Sequence, residues 1–254
     1  MEVFSPTLLQ GQRLLVTGAS SGLGAASAQL AAALGARLVL VGRDQQRLEA
    51  THAALAGGDH LLCPADLRQA DALHGLISAL PAPWLPLHGA VHAAGIERLR
   101  PARLSRQADL EAVLAVATAG ALSLGRAAAA PALFADGGAL VLIGSVAART
   151  GTPGLAAYSA AHGAIEALSR SLAVELAPRS IRVNALLVGA VQTPLHERLC
   201  DALSPAGVAD YRDRHPLGFG HPDDITPLVA LLLSPAGRWI TGSAIVVDGG
   251  YSAR

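Results

Sequence analysis

The sequence predicts a doubly wound α/β domain built around one seven-stranded parallel sheet. Seven short, nearly unbroken apolar runs recur along the 254 residues, and longer stretches of helical composition separate them. A glycine-rich turn follows the first apolar run directly. Strands covered on both faces read as continuous apolar runs, not as alternating ones. Strand–helix–strand alternation implies right-handed crossovers, with helices on both sides of the sheet.

The expected strands, in order, are residues 13–17 (RLLVT), 37–41 (RLVLV), 60–63 (HLLC), 89–92 (GAVH), 139–143 (ALVLI), 182–187 (RVNALL) and 244–247 (AIVV). Helices are expected at residues 22–34, 45–56, 71–80, 107–134, 157–177 and 223–233. Residues 81–86 (PAPWLP) read as a proline-rich loop, and residues 203–220 as a loop-like insertion. Strand signals resume after each of these, so residues 1–254 read as one domain, long enough to bury a sizeable core.

Composition narrows the function. Hydrophobic residues make up 52% and charged residues 15%, and 19 basic residues balance 19 acidic ones. Such a balance removes the clustered basic face that a nucleic-acid or anionic-membrane binder needs. All the basic residues are arginine; the chain contains no lysine. Cys63 and Cys200 lie far apart without metal-ligand spacing, so no metal is expected and a reduced, cytoplasmic chain is. The opening MEVFSPTLLQGQ lacks a basic stretch ahead of an apolar one, and no run of about 18 uninterrupted apolar residues follows, so neither a signal peptide nor a membrane span is expected.

The first strand runs into Thr17-Gly18-Ala19-Ser20-Ser21-Gly22-Leu23-Gly24 at the start of a helix. Glycines permit a tight turn and close backbone approach, and a fresh helix N-terminus offers unpaired N–H groups to a pyrophosphate. This Gly18-x-x-x-Gly22-x-Gly24 spacing resembles the cofactor turn of the short-chain dehydrogenase/reductase family. The resemblance continues through Asp66-Leu67, His92-Ala93-Ala94-Gly95, Ser145, Tyr158-Ser-Ala-Ala-His162, Asn184…Gly189…Thr193, Pro222-Asp-Asp-Ile225, Thr241-Gly242 and Asp248-Gly249-Gly250. It covers residues 11–251 and implies a Rossmann-type fold that binds a nicotinamide dinucleotide. By position it assigns Gly18, Ser20, Ser21, Gly22, Leu23, Gly24, Asp66, Leu67, Ala93, Ala94, Gly95, Gly189 and Thr193 to the cofactor.

The second strand closes on Gly42-Arg43-Asp44. An acid at that strand end would bind the ribose 2′-hydroxyl of NAD, whereas an arginine accommodates the 2′-phosphate of NADP. Arg43 favours NADP(H); Asp44 on an NAD ribose is the alternative.

Tyr158 follows Ser145 by thirteen residues, the separation the family uses between a serine at a strand end and a tyrosine on the next helix. The resemblance implies that Tyr158 exchanges a proton with the carbonyl or carbinol oxygen while Ser145 hydrogen-bonds the same oxygen. In the family a lysine four residues on lowers the tyrosine pKa and holds the nicotinamide ribose; here that position is His162. Tyr158 and His162, at i and i+4, share a helix face. A neutral imidazole donates a hydrogen bond but supplies far less field than an ammonium. Three other family positions also differ: the relay asparagine is Ala117, the paired asparagines are His92 and Ala93, and Val188 replaces the proline before Gly189. His162 and His92 are therefore expected near the nicotinamide side as a substitute relay.

The substrate pocket is expected from residues 188–220, lined by Gln192, Leu195, His196, Leu199, Leu203, Tyr211 and Phe219, with His92, Arg149 and Leu155 adding to it. His52, His60, His74, His88, His215 and His221 read as surface or loop residues. The resemblance implies a carbonyl or secondary-alcohol substrate interconverted by hydride transfer, with which this largely apolar pocket is compatible. The alternatives are non-redox acid/base chemistry on the same fold, using Tyr158, His162 and His92, or a catalytically silent nucleotide-binding partner or sensor. The alanine-rich helices, apolar on more than one face, imply a homotetramer or homodimer.

Overall fold

A computed structural model describes residues 4–69 and 71–253; residues 1–3 of the opening segment lie outside it. The seven strands form one parallel sheet: β1 (Arg13–Thr17), β2 (Arg37–Gly42), β3 (Leu61–Pro64), β4 (Leu87–His92), β5 (Phe134–Ser145), β6 (Arg182–Val188) and β7 (Ala244–Val247). Their order across the sheet is β3-β2-β1-β4-β5-β6-β7. Helices cover both faces, so the central strands are buried, every residue of β6 among them, while the edge strands β3 and β7 are only partly buried.

One face carries α1 (Gly22–Ala33), α2 (Gln45–Ala53) and the later helix α9 (Pro222–Leu233), packed on Leu14, Val16, Leu38 and Leu40. The other carries α3 (Ala72–Ser78), α5 (Gly120–Ala128) and α6 (Ala156–Leu176), packed on Leu15, Val39, Leu140 and Leu142, while α4 (Gln107–Leu114) packs through Val113 on Ala161 of α6. The chain order reverses between β1 and β4, and the C-terminal ends of Thr17, Val41 and His92 lie in register there. In an open α/β sheet this switch point leaves a crevice for ligands.

Two expected segments differ. The predicted helix over 107–134 is broken: α4 passes through a π-helical turn, Ala115–Ala119, into α5, which ends at Ala128. Pro131 cannot continue a helix, and β5 begins at Phe134, earlier than its apolar run. The helical run Gln107–Ala128 is long and apolar enough to cross a membrane. Its Ala121, Leu124, Ala127 and Ala128 are instead buried in the core against the sheet. The second difference follows β6: a helix, α7 (Pro194–Asp201), comes first, and the expected loop over 203–220 holds another, α8 (Pro205–Asp213). Thr193 and Ser204 cap them, and a proline opens each.

Candidate active site

A cleft of about 950 Å³ opens at the C-terminal ends of β1, β2, β4, β5 and β6. Its first wall is the turn after β1. Gly18 has φ +66°, and a Cβ there would sit 2.7 Å from the Ala93 carbonyl oxygen. A Cβ on Gly24 would sit 2.2 Å from the Gly18 carbonyl oxygen. Gly18 therefore meets the conformational and steric demand for glycine, and Gly24 the steric one. Ser20, Ser21, Gly22 and Leu23 line the cleft with Gly18; Gly24 does not line it but packs the turn from behind. Asp66, Leu67, Ala93, Ala94, Gly95, Gly189 and Thr193 complete this wall as expected.

At the β2 end, Asp44 is already committed. Its carboxylate accepts the Arg47 backbone N–H at 3.0 Å and Arg47 Nε at 2.7 Å, capping α2. Arg43 lines the same wall, exposed, and enters no ion pair among the described residues. Asp66 is clamped by Arg68, which holds its carboxyl down to about 2.

Ser145 ends β5, and its Oγ accepts the Ala147 N–H at 3.2 Å. Tyr158 and His162 lie one helical turn apart on α6, both on the cleft wall. Their rings sit 4.1 Å apart, tilted by 47°. Burial pushes the Tyr158 phenol up to about 12, the negative charge of Glu97 adds to this, and a hydrogen bond with Ser145 opposes it. Burial also brings His162 down to about 4, with nearby His92 adding to the effect. Both His162 ring nitrogens are buried and meet no hydrogen-bond partner among the described residues. At neutral pH the pair is thus an uncharged phenol against an uncharged imidazole.

His92 corrects the expectation of a second histidine in the pocket. It does not line the cleft; it is buried under it, at 1% exposure. The Ala94 N–H donates to Thr17 Oγ1 at 3.2 Å, and the Thr17 hydroxyl donates to His92 Nδ1, 2.9 Å away, because the other ring nitrogen faces carbonyl oxygens that only accept. His92 Nε2–H then donates to the Ala117 carbonyl at 2.9 Å, with the Val116 carbonyl at 3.2 Å. That chain fixes one neutral tautomer and occupies both nitrogens. Burial holds His92 down to about 4. It serves as a strut between β1 and the π turn, not as a relay. A Cβ on Gly120 would fall 2.7 Å from its ring, so the ring and that glycine are co-packed. Thr118 Oγ1 donates to the Ala161 carbonyl at 3.1 Å, tying the π turn to the helix that carries Tyr158.

The outer wall is formed by Leu155, Leu195, His196, Leu199, Leu203 and Tyr211. Gln192 does not contribute: it is exposed, while its neighbour Val191 is buried. Phe219 lies behind the wall, its ring 4.5 Å from His196. Arg149 turns outward and pairs with Glu166 at 2.8 Å. His215, read as a surface residue, is 3% exposed. Its Nδ1–H donates to the Tyr211 carbonyl at 2.9 Å, its Nε2 accepts from the Ala190 N–H at 3.3 Å, and its ring stacks 4.5 Å from Tyr251. It anchors α8 over the cleft. Charged residues outside the expected set also line the cleft: Arg47, Glu97, Arg98, Arg198, Asp210 and Arg214. Glu97 follows the H-A-A-G run by two residues, which is the signal in the sequence that marks it.

The residues present suit a dinucleotide. A helix N-terminus with free N–H groups faces the cleft beside Ser20 and Ser21, and His162 leaves one donor and one acceptor unmet at the other end.

Comparison with known proteins agrees. A family model described as "Enoyl-(Acyl carrier protein) reductase" matches residues 18–252. The chain is 34% identical over 250 residues to 2-(S)-hydroxypropyl-CoM dehydrogenase 3 of Xanthobacter autotrophicus, covering 96% of this chain and 98% of the relative. It is 34% identical over 249 residues to D-threitol dehydrogenase of Mycolicibacterium smegmatis, covering 97% and 95%. A solved short-chain type dehydrogenase/reductase from Mycobacterium marinum superposes with a TM-score of 0.87 at 28% identity, covering 98% of each chain. The Rossmann-type sheet, the Gly18–Gly24 turn and these near-full-length matches place the chain in the short-chain dehydrogenase/reductase family of nicotinamide-dependent oxidoreductases.

Proposed function

We propose that the chain is an NADP(H)-dependent oxidoreductase interconverting a carbonyl and a secondary alcohol, with Tyr158 as the acid/base. The observation that carries this reading is that Ser145 and Tyr158 stand together on the wall of the cleft of about 950 Å³. When bound, the nicotinamide supplies or accepts the hydride. The Ser145 hydroxyl then holds the substrate oxygen, and the Tyr158 phenol gives or takes the proton at that same oxygen. His162 offers its unmet donor and acceptor to the ribose hydroxyls, and the N-terminus of α1 holds the pyrophosphate. The similar hydroxypropyl-CoM and threitol dehydrogenases support an alcohol or carbonyl substrate.

The NADP(H) preference rests on the unpaired Arg43 and on an Asp44 engaged as a helix cap. Arg43→Ala is expected to weaken NADPH binding by about 10- to 100-fold while barely moving NADH, since one charge-assisted hydrogen bond contributes about that much. Calorimetric Kd values check it; NADH-favouring values in the wild type contradict it.

Leu122 and Val174 stand exposed at 54% and 78% on α5 and α6. They support the proposal of a homotetramer or homodimer through these helices. Light scattering showing a monomer contradicts it. Cys63 and Cys200 are free, in keeping with a reducing cytoplasm.

A second reading draws on the neutral His162 and on Ala117, which together leave Tyr158 without a cation or a polar relay side chain. Cofactor binding without turnover of any ketone supports a silent nucleotide-binding protein. Substrate turnover with no change in cofactor redox state supports acid/base chemistry alone.

A further inference from the structure

Glu97 sits on the loop after β4 and reaches into the cleft facing three elements at once. Tyr158 on α6 and Tyr211 on α8 both feel its charge, and Arg198 on α7 attracts it without forming an ion pair. No hydrogen bond or ion pair reaches its carboxylate among the described residues, and burial raises its pKa. The cleft wall also carries the apolar residues Ile96, Leu155, Leu195, Leu199 and Leu203, beside the charged Arg98, Asp210 and Arg214. A carboxylate on the cleft wall that no protein donor engages is free to accept from a donor on a ligand. The other acids of the cleft are not in this state: Asp44 caps α2, Asp66 is held by Arg68, and Asp210 pairs with Arg214 at 2.6 Å.

We propose that Glu97 is the specificity-determining residue of the substrate half of the cleft, accepting a hydrogen bond from a donor carried near the reacting carbon. The substrate class is then an α-hydroxy ketone and its vicinal diol, or the α-amino counterpart. The proposal rests on the reading of Tyr158 as the group acting at the reacting oxygen, because Tyr158 and Glu97 line the same cleft. Arg198 balances the carboxylate without consuming it, so Glu97 stays available to a neutral hydroxyl as well as to an ammonium.

The test uses acetone, hydroxyacetone and aminoacetone, compared by kcat/KM with NADPH and separately by saturation-transfer NMR without turnover. Wild type is expected to prefer a donor-bearing ketone over acetone by about 10- to 100-fold, the worth of one hydrogen bond to a charged group. Glu97→Leu is expected to bring that ratio close to one. Glu97→Gln keeps a hydroxyl preference, because its amide oxygen still accepts, and loses any ammonium preference. A wild-type preference for hydroxyacetone that survives in Glu97→Gln identifies the hydroxyl class; one for aminoacetone that disappears there identifies the amine. No preference in wild type, or the same preference in Glu97→Leu, overturns the proposal. Glu97-dependent binding without turnover upholds it while removing the oxidoreductase reading. Turnover with a ratio indifferent to position 97 does the reverse.

Discussion

Tyr158→Phe is expected to lower kcat/KM by about 10²- to 10⁴-fold, the usual worth of a positioned general acid/base, while leaving NADPH affinity nearly intact. The change removes one hydroxyl and keeps the ring that packs against His162 at 4.1 Å. Loss of activity therefore reports on the proton and not on the fold. Ser145 remains to hold the substrate oxygen, but a serine hydroxyl has no proton to give near neutral pH, so it does not substitute. The check is steady-state kinetics alongside calorimetric cofactor binding. Unchanged turnover in Tyr158→Phe removes this residue from the chemistry.

His162→Lys is expected to act in the opposite direction, raising turnover of alcohol oxidation by about an order of magnitude or more at neutral pH. A unit cation about 4 Å from the phenolate at an effective dielectric near 20 is worth about 4 kcal/mol, or about three pK units. In the wild type that cation is missing: His162 lies at about 4 and Tyr158 at about 12. Below about 12 the phenol keeps its proton, so carbonyl reduction, which needs the acid form, is expected to stay flat from neutral to mildly alkaline pH. Alcohol oxidation needs the phenolate and is expected to climb with pH over the same range. The lysine variant shifts that rising limb to lower pH, and the pH–rate profile reads the displacement. Identical profiles in wild type and His162→Lys contradict the electrostatic account.

The strands and the phosphate turn were legible because their signals are local: an apolar run buried on both faces, and glycines where a Cβ would strike backbone. The Ser145–Tyr158 pair was legible only through the family resemblance, which gives their separation its meaning. Other features depend on contacts the sequence does not display. The π turn at Ala115–Ala119 keeps helical composition, and only its packing on His92 and Ala161 distinguishes it. Likewise α8 carries weak apolar patterning and is defined by its Ser204 cap, so residues 203–220 read as loop. His92 and His215 look alike in sequence to a pocket residue and a surface residue. Tertiary partners reverse both readings, Thr17 and Ala117 for the first, Tyr211 and Ala190 for the second. Glu97 was missed because its meaning lies in its placement, on the cleft wall with no donor to its carboxylate among the described residues.

The most direct measurement of the central claim follows deuterium from NADPH labelled at the nicotinamide C4 into the products of a panel of ketones and α-hydroxy ketones. The account predicts one deuterium on the carbinol carbon of the product alcohol with wild type, and almost none with Tyr158→Phe. Bound cofactor with no label in any alcohol, or equal labelling by both proteins, contradicts it.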